Sequence, residues 1–170
     1  INRLKMFLPC VMENSTVPVS VDTFRPSVAK VALSYGVSII NDESGSFKEQ
    51  MAELVKESGC GWVFMHTGNK SSSEIKDYKN GVTNDVIEFF ESMWASARKY
   101  GIEKSQLAFD CGIGFGKTRE DDLELLSNCC ELSSFGNLLI GASRKRIIGE
   151  LTGESEPARR VKGSVAVAKI

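Results

Sequence analysis

Five stretches of the chain share one layout: a short continuous apolar run, then polar or glycine residues, then a helical stretch. They are Val17–Thr23 (VPVSVDT), Val37–Asp42 (VSIIND), Gly61–Thr67 (GWVFMHT), Leu107–Asp110 (LAFD, running into CGIGFGKT) and Leu138–Lys145 (LLIGASRK). Apolar runs that do not alternate are expected of strands covered on both faces.

Between these runs the apolar spacing becomes helical. The first residues already read as helix. Pro26 suits a first helical position, with Val28, Val31, Ala32 and Tyr35 inward and Gly36 as the stop. Phe47–Ser58 puts Met51, Leu54 and Val55 on one face, and Asn84–Tyr100 does the same with Val86, Phe89, Phe90, Met93 and Ala97. Asp121 and Asp122 open Leu123–Leu132, where the helix dipole favours acids, and Lys162–Ile170 is the last helical stretch.

Strands alternating with helices imply a parallel sheet with right-handed crossovers, either open and doubly wound or closed as an eight-fold barrel. The strand ends favour the barrel. Asp22, Asn41, Asp42, Met65, His66, Asp110, Ser143 and Lys145 lie at or just past carboxyl ends, and barrel enzymes gather catalytic residues from many strands. An open sheet uses mainly its switch point. A complete barrel takes about 250 residues. The expectation is therefore an α/β chain, one TIM-type (β/α)8 barrel domain over residues 1–170, truncated to about five units.

Composition narrows the function. Hydrophobic residues make up 42% and charged residues 25%, with a net charge of -1. No global field favours nucleic acid or an anionic membrane, so an anionic ligand needs a local cluster of donors. No apolar run approaches the roughly 20 residues of a membrane span. The five cysteines form no C-x-x-C pair and His66 is the one histidine, so zinc-site spacing is missing. The odd cysteine count and lack of a signal peptide point to a reducing cytoplasm.

The polar strand ends carry the candidate chemistry. Asp22 is either a helix cap or a functional carboxylate. Asn41 can donate and accept, which suits the edge of a flat heterocycle, while Asp42 reads as a cap. Met65 is either core packing or a platform under a ring, and His66 reads as structural. Asp110–Thr118 (DCGIGFGKT) looks like a phosphate loop but fails both fingerprints, having Cys111 and Lys117 where glycine is required. What remains is a glycine-rich turn with Asp110 at its base, Phe115 at its tip and Lys117 nearby. In Gly141–Lys145 (GASRK), Ser143 is expected to cap the next helix, with its hydroxyl, the backbone N–H groups, Arg144 and Lys145 available to an anion.

SVDT, IIND, MH, D-x-GIGFGKT and G-x-SRK in this order resemble the dihydropteroate synthases, pterin-binding enzymes of the folate pathway, over nearly the whole chain. That resemblance implies an eight-fold β/α barrel lacking here its first two units and its last strand. The reaction it implies joins 6-hydroxymethyl-7,8-dihydropterin pyrophosphate to p-aminobenzoate, releasing pyrophosphate, with sulfonamides competing. It assigns Asp22, Asn41, Met65, Asp110, Gly141 and Lys145 to pterin, and Phe115, Ser143, Arg144 and Lys145 to p-aminobenzoate. Asp22, Asp110 and Lys145 carry the catalytic roles. It also implies Mg2+ travelling with the pyrophosphate, with its protein ligand outside this chain, and a homodimer. By itself the 170-residue chain is expected to be inactive. Two departures stand out: Cys111 replaces the family's proline, and TGNKSSSE after His66 is divergent. Rival readings are the pterin domain of a corrinoid-dependent methyltetrahydrofolate methyltransferase and a non-catalytic pterin-binding paralogue.

Overall fold

The computed structural model describes residues 1–68 and 78–169, so most of the divergent stretch after His66, and Ile170, lie outside the described residues. The elements run α1 (Asn2–Asn14), β1 (Ser20–Asp22), α2 (Pro26–Ser34), β2 (Ile39–Asp42), α3 (Glu49–Ser58), β3 (Gly61–Met65) and α4 (Val82–Lys99). Then come β4 (Leu107–Asp110), α5 (Arg119–Ser127), α6 (Cys129–Phe135), β5 (Asn137–Leu139), α7 (Arg146–Thr152) and α8 (Val161–Val167). The strands follow one another in chain order, β1-β2-β3-β4-β5. An open doubly wound sheet reverses its order at a switch point, and no such reversal occurs among these strands.

The chain divides into two compact units, Ile1–Met65 with Glu91–Phe109, and His66–Phe90 with Asp110–Ile170. In the first, β1 pairs parallel with β2 and β2 with β3, Asp22 lying level with Asn41. Its core holds Ile40, Met51, Val55, Trp62, Phe64, Leu107 and Phe109. Trp62 packs 4.2 Å from Phe64 and 5.6 Å from Phe47, ring centre to ring centre. Its indole N–H is buried without a hydrogen-bond partner among the described residues. A stranded donor costs about 1–3 kcal/mol, which offsets most of what the larger ring contributes over a phenyl ring. Trp62→Phe is therefore expected to change stability by less than about 1 kcal/mol, against about 3–5 for truncation to alanine. Urea unfolding midpoints of the two variants check this.

The second unit packs Val86, Phe90, Leu125, Leu132, Ile147 and Ile148. Here the helices differ from expectation. Thr118 caps α5 through a reciprocal box with Asp121, so the helix opens at Arg119, earlier than the acids alone suggest. The expected Leu123–Leu132 helix breaks at Asn128, whose side chain donates to Glu124 O and to Thr83 Oγ1. Helix α7 is the helix expected after Gly141–Lys145, and it opens at Arg146. It carries Gly149 at its centre because a Cβ there would meet Arg160 Nε at 2.5 Å.

Candidate active site

Every strand from β1 to β4 ends on a residue singled out from the sequence: Asp22, Asp42 beside Asn41, Met65 and Asp110. Strand ends are where a parallel sheet stops consuming backbone donors and acceptors, so polar side chains can face a ligand.

In the first unit, the level register of β1 and β2 lets Asn41 Nδ2 donate to Asp22 Oδ2 at 3.3 Å. Asn41 Oδ1 is buried with no hydrogen-bond partner among the described residues. Asp22 caps no helix. The α2 N-cap is Arg25, and Arg25 N–H donates to Thr23 Oγ1. Asp42 accepts from Ser44 N–H at 2.9 Å and lies 4.0 Å from Lys48. It therefore ties a turn rather than capping α3, whose N-cap is Lys48. Met65 is 1% exposed at the end of β3.

The second unit is built around the glycine turn. Asp110 is 6% exposed, and its Oδ1 accepts from Gly112 N–H at 2.7 Å. Burial raises its carboxyl above the ordinary value, while the Gly112 N–H, Lys145 and Lys117 pull it back. A Cβ on Gly141 would sit 3.5 Å from Lys145 Nζ and 3.6 Å from Asp110 Oδ2, so Gly141, Asp110 and Lys145 adjoin. Lys145 donates to Ile113 O at 2.6 Å and lies 4.4 Å from the centre of the Phe115 ring. Cys111 is fully buried, and burial with the neighbouring Asp110 charge pushes its thiol up to about 12. It is a protonated space-filler, with no nucleophilic thiolate near neutral pH.

His66 Nε2 lies 2.9 Å from Asp85 Oδ2, and the ring meets Phe89 edge-on, which fits the structural reading. Ser143 does not cap α7, contrary to expectation. Ala142–Lys145 makes an additional turn, Lys145 is the N-cap, and the helix starts at Arg146. Within that turn Arg144 sits at φ 54°, a left-handed conformation that costs a side-chain-bearing residue about 1–2 kcal/mol. Neighbours that the sequence reading did not single out hold it there. Arg144 N–H donates to Ser164 Oγ at 2.8 Å, and Arg160 donates to the carbonyls of Arg144, Glu154 and Ser155. Arg144→Gly should therefore raise stability by about 1 kcal/mol, since glycine accepts that φ without the Cβ clash. A higher melting temperature is the expected result.

Among the described residues no three His, Cys, Asp or Glu side chains cluster so as to hold a metal ion. No helix among the described residues is long and apolar enough to cross a membrane.

The first unit thus sets an amide beside a carboxylate at its strand ends, and the second gathers a buried carboxylate and two lysines at a glycine turn, both in a parallel β/α chain. The chain matches the model of the pterin binding enzyme family over residues 1–170 and belongs to that family. It is 32% identical to a dihydropteroate synthase of Synechocystis sp. over 170 residues, covering 98% of this chain and 58% of the relative. A Neisseria meningitidis dihydropteroate synthase is 36% identical, over 89% of this chain and 56% of that one. The solved Thermus thermophilus dihydropteroate synthase in complex with 4-aminobenzoate is 38% identical with a TM-score of 0.89, covering 98% of this chain and 65% of that one. The same enzyme in complex with 6HMPPP gives 36% and 0.85, covering 99% of this chain and 66% of that one. The chain thus spans about three fifths of the length of the curated relatives it matches, and its α/β fold is part of the barrel those structures share.

Proposed function

We propose that the intact protein is a dihydropteroate synthase, joining a dihydropterin pyrophosphate to p-aminobenzoate. The observation that carries the reading is the buried Asp110 carboxylate, flanked by Gly112 N–H, Gly141 and Lys145. A pterin offers a row of ring and amino N–H donors beside ring acceptors. Asp110 and Asp22 match the donors, Lys145 the acceptors, and Asn41, with its unsatisfied Oδ1, both kinds. Met65 and Gly141 border the ring. Phe115, Ser143 and Arg144 take the aminobenzoate, and Lys145 stands between the two substrates.

In the reaction the aminobenzoate nitrogen forms a bond to the pterin methylene carbon as the carbon–oxygen bond to pyrophosphate breaks. The amine then releases a proton. Positive charge grows on the pterin-methyl group as pyrophosphate departs, and the Asp22 and Asp110 carboxylates stabilise it without moving. No protein nucleophile is needed, which agrees with the inert Cys111. Magnesium would accompany the pyrophosphate, and no step here runs through it. The same reading has the protein as a cytoplasmic homodimer, supported by the resemblance and by its five unpaired cysteines.

The test is a sulfonamide-binding titration on the intact protein with and without pterin pyrophosphate. Binding promoted by the pterin, with pteroate formed from p-aminobenzoate, is expected. A pterin-binding protein with no affinity for p-aminobenzoate or sulfonamide under either condition would be of the methyltransferase or non-catalytic type.

A further inference from the structure

The Gly112–Lys117 turn has little stiffness of its own. Gly112, Gly114 and Gly116 all sit at positive φ, between 65° and 76°, and glycine imposes little restriction there. Yet in the proposed reaction this turn must hold Asp110 at its base and Phe115 at its tip in fixed positions. Asp122 Oδ1 fastens one point by accepting from Gly114 N–H at 2.8 Å. Gly68 N–H fastens another, donating to Phe115 O at 3.0 Å.

We propose that Lys117 is a positioning residue of the synthase reaction, its side chain pinning the glycine turn to the backbone of His66 and so setting Phe115 against Lys145. The inference rests on the synthase reading for the reaction it serves, though the pin itself does not. Lys117 is 5% exposed and points inward. Its Nζ donates to Gly112 O at 3.0 Å, to His66 O at 3.2 Å and to Phe115 O at 3.5 Å. The carbonyls come from the start of the turn, from His66 and from the tip, so one group closes all three together. An ammonium has three N–H donors, and all three are engaged. Lys117 is thus saturated by the protein and is not available to a substrate.

The charge state matters to the pin. A neutral amine has two N–H groups and a lone pair, and the lone pair would face one of the three carbonyl oxygens. The groups facing Lys117 are Asp110 and Cys111, at and just after the end of β4, Asp121 and Asp122 from α5, and His66 O, behind which Asp85 of α4 meets the His66 ring. These carboxylates favour the ammonium, but burial outweighs them and lowers Lys117 to about 8. The pin therefore loosens as pH rises through that value, within reach of experiment.

Two measurements test this. The first needs no substrate: amide exchange of residues 112–117 in the native protein, corrected for intrinsic rate, at about pH 7 and about pH 9.5. Protection of the turn should fall by about tenfold across that interval while α3 keeps its protection. Unchanged protection of the turn overturns the inference. The second is kinetic, on the intact protein. Lys117→Ala should raise the KM for p-aminobenzoate by about tenfold or more and shift the KM for the pterin by less than about threefold. Propylamine should partly restore the first value. Equal effects on both KM values, or no response to propylamine in a folded variant, overturn it. A wild-type protein that makes no pteroate but loses turn protection at high pH leaves the pin standing and removes the synthase reading.

Discussion

Asp110→Asn in the intact protein is expected to lower kcat/KM by roughly a hundredfold to a thousandfold, about 3–4 kcal/mol of transition-state stabilisation. The replacement keeps the size and the plane of the side chain. Its Oδ1 can still accept from Gly112 N–H, now at 2.7 Å, so the turn keeps its base. What disappears is the negative charge, and the Oδ2 position beside Gly141 becomes an N–H2 group that donates. That donor would oppose the N–H groups of the pterin and the Lys145 ammonium together. In the proposed reaction the positive charge growing on the pterin-methyl group then loses the Asp110 carboxylate. Stability should move the other way. Burial raises the Asp110 carboxyl above its ordinary value of 3.8, so the fold favours the protonated form. With the folded value above the unfolded one, the native state binds more protons across that interval and stability falls as pH rises through it. A neutral asparagine does not carry that cost. The variant should thus melt higher than the wild type at neutral pH while turning over far more slowly. Near-normal turnover with a lower melting temperature would remove Asp110 from the site.

The strand-end residues were legible for a physical reason. A polar side chain directly after an apolar run needs polar partners where the strand ends, so VSVD, IIND and LAFD mark Asp22, Asn41 and Asp110 without any tertiary knowledge. The helix faces were legible too, since Val86, Phe90, Met93 and Ala97 are all buried as their spacing requires. What stayed hidden depends on partners distant in sequence. Glu124 of α5 accepts from the N–H and the hydroxyl of Thr83 at the start of α4, 41 residues away, and no local pattern announces such a cap. Ser164 supports Arg144 across 20 residues. Ser143 looked like a cap because the left-handed Arg144, which delays the helix to Arg146, is an uncommon conformation for a residue with a side chain. Lys117 shows the limit most clearly. A lysine in a glycine-rich turn reads the same whether it points to solvent or into the protein. Only the carbonyls of His66, Gly112 and Phe115 around its Nζ decide which.

Lys145→Met should cost about 3 kcal/mol in kcat/KM, and combined with Asp110→Asn it should cost less than the sum of the two. The lysine makes three contributions at once. Its Nζ donates to Ile113 O at 2.6 Å, lies 4.4 Å from the centre of the Phe115 ring, and lowers the Asp110 carboxyl against the effect of burial. Methionine keeps most of the length of the side chain and removes the charge. Asp110 then keeps its desolvation and loses a nearby cation, so its carboxyl rises further and the acid limb of kcat/KM moves to higher pH. Once Asp110 is already asparagine, that part of the loss has no group to act on. A coupling of about 1 kcal/mol or more between the two substitutions is the expected reading of the cycle. Simple additivity would mean that the two side chains act on separate steps or separate substrates. Arginine at position 145 tests whether charge alone suffices. Its planar fork cannot repeat one ammonium placed both on Ile113 O and over the Phe115 ring. Lys145→Arg should therefore restore the position of the acid limb, because the positive charge returns beside Asp110, while most of the lost rate stays lost.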